Sequence, residues 1–164
     1  MSASGAEPIA DAGAALGRLI ESLVISYSLD LAVATFTLVA DYPDRAPGAQ
    51  RSFVALQFSS VRGFRRYRGN LAELQASADT YSTADSPSPI VIQHLSTTGD
   101  DGDRHVELWF GPNFGGVAFS YGGMAGFIRH ARTEERDGDW IYRDARTGEA
   151  FDFARPFAGA LDRS

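Results

Sequence analysis

The sequence predicts a mainly β protein of the α+β kind. It would be a single curved antiparallel sheet or a sandwich of about seven to nine strands, with an N-terminal helix and one short extra helix. Three observations point there. Runs rich in Val, Ile, Thr, Tyr and Phe alternate apolar and polar residues with a period of two, as in "SFVALQF" and "VAFSY". Gly, Pro, Asp and Asn clusters punctuate those runs at short intervals. Regular alternation of strands with long helices, which a parallel sheet requires, is missing. The chain of 164 residues suits one β-rich domain over 1–164, with 1–7 expected to fray.

Element by element, Ile9, Ala12, Leu16, Leu19, Ile20 and Leu23 mark one face of a helix from Pro8 to about Leu23, weakened by Gly13 and Gly17. "SLVISYSLDLAVATFTLVADY" reads as a hairpin turning near Leu29-Asp30. In "RSFVALQFSSVRGF" the residues Val54, Leu56 and Phe58 share a face, and Val61 breaks the parity, predicting a bulge near Ser59-Ser60. Asn70 caps a candidate short helix in "NLAELQASADTY", and "STADSPSP" (82–89) is a loop. "IVIQHL" and "RHVELWF" flank the acidic "STTGDDGD" as a hairpin. "VAFSYGGMAGFIRHART" reads as strand, glycine break, strand, and the chain ends in a hairpin turning around Ala145 to Gly148.

Composition removes several chemistries. There is no cysteine, so disulfides, thiolate catalysis and Cys-based zinc sites are excluded. All 15 basic residues are arginine, and the absence of lysine removes Schiff-base and P-loop mechanisms. A net charge of −6 disfavours a general polyanion binder and suits a basic partner. The N-terminus has no basic start and no compact apolar run, so a soluble cytoplasmic protein with no membrane association is expected.

The candidate motifs are weak. "VRGFRRYRG" sets Arg62, Arg65, Arg66 and Arg68 around Phe64 and Tyr67. Arginines with stacking aromatics suit nucleic acid; the same residues suit a charged edge strand anchored by Phe64, or the rim of an interface. The edge is the preferred reading. "AFSYG" departs by one residue from a nucleophile elbow, and Ser120 is followed by Tyr-Gly-Gly, a poor helix start. His94, His105 and His130 are the whole imidazole supply, without metal-ligand spacing; His94 and His105 could face one another across their hairpin. "GDDGDRHVE" offers Asp100, Asp101 and Asp103 but lacks the spacing of a calcium loop. Trp109, Phe110, Phe114, Phe119, Tyr121 and Phe127 crowd one stretch, and Trp109 and Phe114, next to turns, are candidates for exposure.

The order "FVALQFSSVRGF", "IVIQHLS", "VELWFGPNFGGVAFSYGGMAGFIRH", over roughly residues 20–132, resembles small β-rich bacterial immunity proteins of contact-dependent and polymorphic toxin systems. The resemblance implies a non-enzymatic inhibitor that occludes a cognate toxin, with no catalytic residue, cofactor or metal. It transfers no site residue, because such families bind through variable surfaces. The partner-binding candidates read from the residues are therefore Asp100, Asp101, Asp103, Trp109, Phe114, Arg62, Arg65, Arg66 and Tyr67. The alternatives are a small-ligand-binding β-barrel-like protein, with a pocket lined by Phe36, Phe58, Phe119 and Tyr121, a nucleic-acid module using Arg62–Arg68, or an enzyme using His94 or His105 with Glu107.

Overall fold

The computed structural model of the chain describes residues 5–44, 46–67, 90–100, 102–111 and 114–158. The expected helix at Asn70, the loop 82–89, Arg68 and Asp101 lie outside them.

The molecule is mainly β, as its alternation predicts. Two antiparallel sheets pack on one core. The larger has the order β11 (Ala150–Phe151), β10 (Asp139–Asp144), β9 (Gly123–Arg136), β4 (Arg51–Ser59), β3 (Thr35–Asp41), β2 (Val24–Asp30). The smaller runs β5 (Arg62–Tyr67), β8 (Gly116–Tyr121), β7 (Asp103–Trp109), β6 (His94–Asp100). The strands exceed the expected number because β1 (Glu7–Ile9) and β11 are too short to show periodicity. β1 pairs with β9 at Gly126–Ile128, so ordered chain begins earlier than the fraying expectation placed it. The only helix among the described residues is α1 (Ala12–Gly17), six residues against the longer span expected from Pro8. Asp11 caps it by accepting from the amide of Ala14 at 2.9 Å. Pro8 is drawn into β1, and beyond Gly17 the chain turns, with Glu21 at φ 69°. Leu16 and Leu19 still reach the core, but Ile20 is half exposed. No helix among the described residues is long and apolar enough to cross a membrane.

Two-residue parity assigns the core. Val54, Leu56 and Phe58 of β4 face Val106 and Leu108 of β7 and Val117, Phe119 and Tyr121 of β8 in one cluster. Phe119 joins the sheets: its ring centroid lies 4.9 Å from Phe36 and 5.1 Å from Phe58. Tyr121 adds an edge contact with Phe58 at 4.9 Å. Each such pair contributes about 0.5–1.5 kcal/mol beyond area burial. The opposite face of the large sheet is also covered. Val39, Phe53, Ala55, Ala131 and Phe157 form a second cluster, which Phe151 and Phe153 of the C-terminal segment help to close. β4 is therefore buried on both faces, with Phe53, Val54, Ala55 and Leu56 all fully buried.

Two expectations are displaced. The parity break at Val61 is not a bulge near Ser59-Ser60; there the chain leaves the large sheet, with Ser60 at φ 53°. The bulge lies in β5, where Gly63 and Phe64 together oppose Phe119 and Gly63 takes φ 62°, a conformation glycine adopts without a Cβ penalty. In the acidic hairpin, Ser96–Asp100 belong to β6 rather than to the turn. Ile90–Ile92 instead bond to the chain before and into β2, through Val24 N to Ile90 O at 2.7 Å and Ile92 N to Ser22 O at 3.1 Å. Burial of Ile92, with no exposed surface, explains that choice.

Candidate interaction face

Because Val106, Leu108, Val117, Phe119 and Tyr121 point inward, their neighbours on β7 and β8 must point out. Register aligns these neighbours in three cross-strand rows. His94, Trp109, Gly116 and Tyr67 form the first; Ser96, Glu107, Ala118 and Arg65 the second; Thr98, His105, Ser120 and Arg62 the third. The bulge at Gly63 is what returns Arg62 to the same face as Arg65 and Tyr67. Phe64 holds β5 down, stacking on Phe119 at 5.9 Å and meeting Phe36 at 5.7 Å.

The central strand β8 carries only Gly116, Ala118 and Ser120 on this side, and the longer side chains of β5 and β7 flank it. Gly116 is buried beneath Trp109: a Cβ placed there would lie 3.0 Å from the Trp109 ring. Ala118, between Arg65 and Glu107 in register, is fully buried. The result is a platform with an aromatic end, Trp109 and Tyr67, and a charged end. Arg65 lies 5.9 Å from the Tyr67 ring. At the charged end Arg62 donates to Asp103 at 2.9 Å, both well exposed, so the pair contributes little stability and remains available to a partner.

Of the predicted site residues, the structure brings together Arg62, Arg65, Tyr67, Asp103 and Trp109, with Asp100 at the same hairpin end opposite Asp103. Arg66 is separated from them: its register partner is the inward-facing Val117, although its own side chain is exposed at the sheet edge. Phe114 is not an exposed anchor; it packs against the main core, because the Gly111–Gly115 turn folds it inward. His94 and His105 share the face but do not meet. His94 pairs with Trp109 and His105 with Thr98, four residues further along β6, about 13 Å at strand rise.

Sequence reasoning paired His105 with Glu107 but missed that Ser120 stands beside them, a grouping whose signal was only the shared parity of β7 and β8. The Ser120 hydroxyl lies 3.4 Å from His105 Nδ1, and His105 Nε2 lies 3.7 Å from Glu107 Oε1. These distances are long for a working relay. After Ser120 the chain turns at Gly122 into β9 rather than into a helix, and β8 is paired on both sides. The amides of β8 are thus committed to the ladder. The tighter contact, Ser52 Oγ to His130 Nδ1 at 2.6 Å, involves a serine with no exposed surface. Among the described residues no three His, Asp or Glu side chains converge at metal-ligand spacing.

Fold and surface together define an antiparallel β-sandwich with an exposed, aromatic and charged sheet face. No family model, curated protein or solved structure matches this chain.

Proposed function

We propose that this chain is a non-enzymatic protein-binding module, an immunity protein that binds and neutralises a cognate bacterial toxin through the outer face of β5, β8, β7 and β6. The observation that carries the reading is the gathering of half-buried Trp109 with exposed Tyr67, Arg62 and Arg65 on the outer face of the small sheet. Trp, Tyr and Arg dominate binding energy at protein interfaces. The likeness to β-rich immunity proteins supplies the partner class, and the net charge of −6 favours fast encounter with a basic partner.

Packing favours this surface over the small-ligand alternative, because Phe36, Phe58, Phe119 and Tyr121, the proposed pocket lining, are in contact with one another. It also favours it over nucleic acid, since Arg66 leaves the face and the carboxylates of Asp103 and Glu107 lie among its arginines.

The test is co-expression with the toxin encoded directly upstream. The wild-type chain should restore growth and co-purify, and Trp109→Ala should weaken binding about 30-fold or more with little change in unfolding midpoint. No rescue by the wild type, or full affinity in a Trp109→Ala/Tyr67→Ala variant, overturns the reading.

A further inference from the structure

Away from that face, a cleft of about 810 Å3 lies between the loop before β4, the paired segments 132–134 of β9 and 143–144 of β10, and the turn from β10 to β11. It arises from unequal strand lengths. β4 pairs with β9 only as far as Arg51 opposite Ala131, whereas β9 continues to Arg136 against β10. Beyond the end of β4, the side chain of Gln50 takes over, its Oε1 accepting from the amide and hydroxyl of Thr133.

Arg132 and Arg143 are register partners here and project from the same side of the sheet. Like charges directly opposite one another are unfavourable unless offset. Arg143 is offset: its Nε donates to Glu134 at 2.9 Å and one Nη to the Gly148 carbonyl at 3.2 Å. Arg146 pairs with Glu7 at 3.0 Å. Asp144 is taken by Arg129 and by the amides of Arg146 and Thr147. Arg132 is exposed and has no carboxylate partner among the described residues.

We infer that this cleft binds a small oxyanion, a phosphate ester or a carboxylate, between Arg132 and the remaining Nη of Arg143. A guanidinium presents paired N–H donors to such groups, and a second guanidinium opposite makes the oxyanion the missing counter-charge. The volume suits a small molecule. The overall charge of −6 disfavours a polyanion in its place. The inference does not depend on the binding face described above.

Amide chemical shifts are followed during titration with inorganic phosphate and, separately, with acetate, against chloride at matched ionic strength. At least one of the two should give saturable shifts confined to residues near 132–134 and 143–148; which of them does so separates phosphate from carboxylate recognition. Arg132→Gln, an exposed substitution that should not threaten folding, should weaken that binding at least tenfold. Shifts no different from chloride with both anions, or unaltered in Arg132→Gln, overturn the inference.

Discussion

Arg129 and Asp144 form a buried ion pair between β9 and β10, and Asp144 lines the cleft there. Arg129 Nε donates to Asp144 Oδ2 at 2.8 Å, an Nη donates to the Pro156 carbonyl at 2.8 Å, and the guanidinium lies 4.2 Å from the Phe151 ring centroid. Both side chains are almost wholly buried, at 7% and 1% exposure. Burial alone would raise the Asp144 carboxyl, but the Thr147 amide, the Arg129 guanidinium and the Arg146 amide outweigh it and hold the pKa below its ordinary value. A depressed folded-state pKa stabilises above the ordinary carboxylate value and is lost as pH falls through the lowered one. Stability should therefore decline as pH drops below about 4, and Asp144→Asn should flatten that decline in denaturation curves taken at successive pH values. Equal slopes in both proteins would contradict this role. At neutral pH Asp144→Ala should cost about 3–5 kcal/mol, because it strands a buried guanidinium.

At the scale of elements, the two crossings between sheets share a corner. β4 passes to β5 at Ser60, and β8 passes to β9 at Gly122, whose amide donates to the Ser59 carbonyl at 2.9 Å. β5 then forms one edge of the described small sheet and is held by Phe64. Phe64→Ala should cost about 2–4 kcal/mol in chemical denaturation. It should also weaken partner binding, because Arg65 and Tyr67 ride on the strand that Phe64 anchors. Unchanged stability would show that the edge is held otherwise. The charged-edge reading of "VRGFRRYRG" was legible because Val61 and Phe64 are its only apolar residues without a polar tip, set among four arginines. The glycine break before β9 was legible from Gly122-Gly123. The return of Arg62 to the outer face was not, since a bulge alters parity without any change in composition.

Across the whole molecule, the large sheet is covered twice, by the small sheet on one side and by the C-terminal segment on the other. Phe153 and Phe157 close the second cluster over Phe53 and Tyr142. Ending the chain before Asp152 should lower stability by about 3–5 kcal/mol, from two lost phenylalanine burials. It should also raise the fluorescence of an apolar dye through exposed Phe53. A truncated protein with an unaltered midpoint and no dye binding would show that this cover is dispensable.

The alternation of apolar residues determined by itself the β class, the inward faces of β4 and β8, and the hairpin around Ala145–Gly148. A side chain's face within a strand is a local property with a period of two, so it can be read along the chain. Tertiary structure alone decided which strands became neighbours, how short α1 would be, that Phe114 turns inward, and that Arg132 meets Arg143. Those outcomes depend on hydrogen-bonded register between segments distant in sequence, set by the burial of both faces of β4, and local spacing carries no record of it.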